Sequence, residues 1–144
     1  MKKIYDLRED DERIAQVQRA TLTTKDFGLE PEHGLFGSAE WWRAISDGRI
    51  PMHSVNGVIS RVFLSGHNDW EEFAIESSGE QTSWNRVTSG GPAGSPGRVA
   101  KGRMYEVGRR VLLKYVLQQS RLRLPARKAV LEIWIGDRSI PTCR

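Results

Sequence analysis

Residues 72–87 read EFAIESSGEQTSWNRV. Phe73 and Ile75 alternate with polar neighbours, and the period of two together with aromatic and branched side chains reads as a strand over 72–77 rather than a helix. Ser77-Ser78-Gly79-Glu80 is a tight hairpin signal, and a second strand follows over 82–87 with Trp84 in it. The same texture extends in both directions: GVISRVFLS (57–65) precedes the hairpin, and GRRVLLKYVLQ (108–118) and KAVLEIWIGD (128–137) follow it. Between the first two strands, SGHND (65–69) supplies the Gly, Asn and Asp of a turn.

The chain before Pro51 has a different period. Leu7 to Leu22 places apolar residues at Leu7, Ile14 and Val17, with Asp10, Asp11 and Glu12 where a helix N-terminus favours negative charge. A second, short helix is expected in FGSAEWWRAISDG (36–48), capped by Ser38, with Trp41 and Ile45 on one face and Gly48 closing it. VTSGGPAGSPGRVAKGRMYEVG (87–108) is too rich in Gly, Ser and Pro over 89–97 to bury apolar surface, so disorder is expected there. The domain plan is a helical extension over 1–50, a β-domain over 51–138 with a flexible loop at 88–104, and a tail over 139–144.

Five strands with a long connection after the third resemble an oligonucleotide- and oligosaccharide-binding (OB) barrel. The expected fold is therefore mainly β with α: a small five-stranded antiparallel barrel, OB-like, preceded by two short helices. The resemblance covers 55–137, is one of architecture, and carries no family motif. An SH3-like barrel or an open meander with packed helices is the runner-up.

At 144 residues, with 38% hydrophobic and 28% charged side chains, the chain has enough apolar material for one domain without disulfide or metal staples. Its one cysteine, Cys143, excludes an intrachain disulfide and fits a reducing cytoplasm. Lys2 and Lys3 are followed by acids from Asp6 on, with no apolar run of the kind a secretory leader needs. No stretch reaches the roughly 18 apolar residues of a membrane span, so a soluble protein without membrane association is expected.

The net charge of +4 conceals a split. Residues 1–80 hold 9 Lys and Arg against 15 Asp and Glu, and residues 81–144 hold 13 against 3. Two partner classes follow. The basic half, through Arg98, Lys101, Arg103, Arg109, Arg110, Lys114, Arg121, Arg123, Arg127 and Lys128, would neutralise the phosphates of a nucleic acid, single-stranded and read with little sequence preference, while Trp70, Phe73 and Trp84 stack on bases. The alternative is a protein-interaction or adaptor module whose acidic N-terminal face engages a protein through Trp41 or Trp42. The plainer reading makes the strand aromatics core and the bases solubilising edge charges.

Catalytic chemistry has little support. GPAGSPG (91–97) matches neither a dinucleotide fingerprint nor a P-loop, and Pro92 and Pro96 remove donors a phosphate cradle needs. His33, His53 and His67 lack metal-ligand spacing, so no metal or cofactor is expected. Ser65, His67 and Asp69 lie along one segment and do not converge as a triad. Glu71 and Glu72 point to opposite faces of a strand, and Cys143 has no activating base beside it. A non-enzymatic protein is expected; an enzyme acting through His67 and Asp69 ranks third.

Overall fold

The structure is a computed structural model that describes residues 1–23, 34–67, 70–118 and 127–138. Strand β1 spans Lys2–Asp6 and is followed by a 3-10 turn at Leu7–Glu9, helix α1 (Asp11–Thr23) and helix α2 (Ala39–Ser46). Strands β2 (Met52–Ser65), β3 (Trp70–Ser77) and β4 (Glu80–Asn85) come next, then helix α3 (Pro96–Gly102) and strands β5 (Arg109–Gln118) and β6 (Arg127–Arg138).

The β3–β4 hairpin is built as its residues dictate. Ser78 and Gly79 both take positive φ, 51° and 82°, which is the two-residue turn whose twist matches the flanking strands. That turn sets Ser77 opposite Glu80, Ile75 opposite Thr82 and Phe73 opposite Trp84. On its other side β3 pairs with β2, Val62 opposite Phe73 and Ile59 opposite Ile75, with a register shift between Ile59 and Arg61. Close strand approach explains Gly57, where a Cβ would stand 2.2 Å from the Glu76 carbonyl oxygen.

Six antiparallel strands lie in the order β1-β6-β5-β2-β3-β4, in an open sheet whose ends are β1 and β4. The five-stranded barrel is thus corrected, although all five expected strands are present and helices precede the second. The physical reason is β1. Residues 2–6, with two lysines ahead of three buried side chains, add a sixth strand to β6 and terminate that side of the sheet. The glycine-rich stretch also differs from expectation. It carries α3, started by Pro96 in the first helical turn, where a missing N–H costs nothing.

Two compact units divide the chain. One comprises the described residues of Met1–Asp6, Ser54–Leu113 and Glu132–Arg144. Ile4, Ile59, Phe73, Ile75, Val111, Leu113, Ile133 and Ile135 are buried in it. Tyr105 joins this core, its ring centroid 4.8 Å from that of Phe73. Its hydroxyl donates to the Val87 carbonyl at 2.6 Å and accepts from the Val87 N–H at 3.1 Å. Burial pushes this phenol well above its ordinary range, against the opposing pull of the Val87 hydrogen bond and the Arg86 charge.

The other unit comprises the described residues of Leu7–His53 and Lys114–Leu131. Asp10 Oδ1 accepts from the Arg13 N–H and so caps α1, and Ser38 Oγ does the same for the Trp41 N–H of α2. Between the helices, Gln18 Nε2 donates to the Phe36 carbonyl at 2.8 Å. The Phe36 and Trp41 rings are 4.7 Å apart, and Trp41 is fully buried.

Candidate protein-interaction surface

The basic residues do not form one free strip. Arg98 donates to Thr88 Oγ1 at 3.1 Å and to the Gly91 carbonyl, and Lys101 Nζ donates to the Ser89 carbonyl at 2.7 Å. Both tie α3 to the segment before it. Arg109 donates through Nε and a terminal nitrogen to Glu106 Oε1, and Arg138 reaches Glu106 Oε2. The Arg109 hydrogen bonds, then that of Arg138, hold the Glu106 carboxyl below the usual carboxylate range. Lys128 stands 5.7 Å from the Tyr115 ring centroid. Lys114 is half-buried, while Arg103, Arg110 and Arg127 are exposed. Arg121 and Arg123 lie outside the described residues.

The aromatic expectations separate cleanly. Phe73 and Trp84 are core residues, the Trp84 indole N–H donating to Thr82 Oγ1 at 2.8 Å, so neither is a base-stacking platform. Trp41, offered as a partner contact, is buried too. Trp42 is half-buried, with the Arg8 guanidinium 4.1 Å from its ring centroid. Trp70 alone among these five is open, at 62% exposure. His67 is exposed at the β2–β3 turn; Asp69, its suggested companion, and His33 lie outside the described residues. His53 stacks on Tyr115 at 5.3 Å. Among the described residues, no group of three His, Cys, Asp or Glu side chains is placed to hold a metal, and no helix is long and apolar enough to cross a membrane.

What the structure does assemble lies on β3 and β4. Residues 70–85 contain Glu71, Glu72, Glu76 and Glu80 and no Lys or Arg. Among the described residues none of these four side chains makes a hydrogen bond or ion pair. Strand alternation turns Phe73 and Ile75 into the core and puts Trp70, Glu72 and Glu76 on the opposite face. The register brings Phe63 opposite Glu72 and Ser65 opposite Trp70 onto that face. The Arg61 guanidinium stacks on the Phe63 ring at 4.4 Å. An exposed indole and a half-buried phenyl ring thereby share one face with the carboxylates of Glu72 and Glu76 and with Arg61, a composition suited to a protein surface. Side chains of these kinds bind and orient; they offer no nucleophile with a base beside it. The signal was present in the sequence as sixteen residues without a cation, hidden by counting charge over half the chain.

The two ends of the sheet differ. At β1 the Ile4 carbonyl accepts from the Ser89 N–H at 3.2 Å, and the Asp6 N–H donates to Ser89 Oγ at 2.8 Å, so this edge is closed by a neighbouring segment. At β4 the closing pair Ser77 and Glu80 and the alternation of an antiparallel ladder turn the backbone groups of Glu80, Thr82 and Trp84 toward β3. The Arg86 N–H, which donates to the Glu71 carbonyl at 3.0 Å, continues that pattern. The N–H and C=O groups of Gln81, Ser83 and Asn85 consequently point away from the sheet, and among the described residues nothing bonds to them.

A family model described as Immunity protein RhsI2 matches residues 1–133 of the chain. No curated protein matches it.

Proposed function

Because the chain belongs to the RhsI2 immunity protein family, we propose that it is a toxin-immunity protein, which binds a cognate toxin and blocks it. The observation that carries this reading is the extent of the match, 133 of 144 residues. The nucleic-acid reading is corrected by the same finding. A family of immunity proteins spanning both charge halves calls for a protein partner. The placement of Phe73 and Trp84 in the core, and of Arg98, Lys101 and Arg109 in internal bonds, removes physical support from nucleic-acid binding.

The proposed mode is inhibition by occupancy, with no reaction catalysed by this chain. A protein partner fits the acidic surface with its exposed Trp70, since an aromatic anchor in a charged rim is how protein interfaces concentrate binding energy. The carboxylates raise the rate at which a basic partner arrives. The lone cysteine suits a reducing cytoplasm as the place of action.

Co-expression tests the function. Toxic domains encoded in the same genome are expressed in a sensitive host with and without this chain, and the expected result is restored growth for one of them. The restored pair should then co-elute as a stoichiometric complex when purified. Failure to restore growth against every such domain would overturn the reading.

A further inference from the structure

Resting on the immunity reading, we propose that the toxin is held at the β4 edge by strand addition: an extended, Lys- or Arg-bearing segment of the toxin pairs with Gln81, Ser83 and Asn85. Three observations converge on this. The edge is regular, six residues without a register shift, proline or lysine, whereas natural edges exposed to no partner are usually bulged, charged or covered. The opposite edge of the same sheet shows that pattern, with a register shift between Lys3 and Tyr5 and Ser89 bonded across it.

The second observation is charge. Glu72 and Glu76 stand on the outer face one strand in from the edge, opposite Asn85 and Gln81, with the small Ser83 between these two. Strands lie about 4.8 Å apart, so basic side chains on an added strand reach over β4 to these carboxylates. A second copy of this chain would bring glutamates against glutamates, and a polyanion or anionic membrane would be repelled. The charge thus selects a basic protein segment and deters self-pairing at once.

Third, Trp70 gives the same outer face an anchor at the far end of β3 from the hairpin turn. Main-chain bonds supply affinity in strand addition and side-chain contacts supply selectivity, and both parts are available here on one hairpin.

The test uses the whole chain and an inactivated form of the toxin identified by growth rescue. Amide hydrogen exchange is measured free and bound. The amides of Gln81, Ser83 and Asn85 are expected to slow at least tenfold in the complex. Ser83→Pro, which an edge strand tolerates but an added strand does not, should weaken binding at least tenfold, with an unchanged circular dichroism spectrum verifying the fold. Glu72→Lys with Glu76→Lys leaves the edge backbone intact and should also weaken binding at least tenfold at low salt. Full protection by a folded Ser83→Pro protein, or unchanged exchange at the three amides in a formed complex, would overturn strand addition while leaving the immunity reading in place. A wild-type homodimer that Ser83→Pro dissociates would put a second copy on the edge and overturn it also. If the wild-type chain rescues growth from no toxin, the immunity reading fails and the inference falls with it.

Discussion

Tyr105 shows how a single side chain holds a long irregular connection in place. Its hydroxyl serves both backbone groups of Val87, so Tyr105→Phe leaves a donor and an acceptor without partners and should destabilise the fold by about 1–3 kcal/mol in urea unfolding. The raised phenol also contributes to the loss of stability in alkali. Above the ordinary tyrosine value of 10.0 the unfolded chain loses this proton while the folded chain keeps it, so stability is intact below that pH and declines above it. In Tyr105→Phe the decline measured between pH 10 and 11 should be shallower. Glu106 acts at the acid end. Its lowered carboxyl adds stability above the unfolded value, lost as pH falls through the folded one, and Glu106→Gln should flatten that limb in acid titration of the unfolding midpoint. Neither residue was legible as structural in the sequence, because both follow a glycine-rich run with no apolar period. Trp41 was legible as sharing a helix face with Ile45; the Phe36 ring packed against it comes from outside the helix.

Elements defined by a local period were readable, and those defined by a distant neighbour were not. Helix α2 carries its own cap at Ser38, and β2 to β6 carry alternation or turn chemistry, so each could be placed from its own residues. Strand β1 is five residues long and becomes a strand by pairing with β6, Tyr5 opposite Ile133. Helix α3 sits among glycines whose composition argues against it, held by Arg98 and Lys101 bonds to the preceding segment. The β2–β3 pair offers a sharp test. Gly57→Ala places a Cβ 2.2 Å from a backbone carbonyl that cannot rotate away, and the required separation of strands should cost about 3 kcal/mol in chemical denaturation. A cost below 1 kcal/mol would mean the strands part there without consequence.

For the molecule as a whole, the sum of +4 is a poor guide to what it meets. Four glutamates on one hairpin, without a partner among the described residues, define a local field opposite in sign to the total, and affinity for a basic toxin should fall as salt rises from 50 to 500 mM in titration calorimetry. Salt-independent binding would remove electrostatics from recognition. The candidate surface was hard to see in advance because charge read along a chain does not report which cations are held inside. The order of synthesis adds one more consequence. Of the described strands β1 is made first and its ladder partner last, with Lys3 opposite Trp134. Until that partner emerges, Ile4 and Tyr5 lack the ladder that buries them, and the sheet cannot be completed from its own N-terminal end. Chains interrupted before residue 132 should therefore be cleared by proteases rather than accumulate as partial inhibitors, so that protection switches on only once β6 has been made.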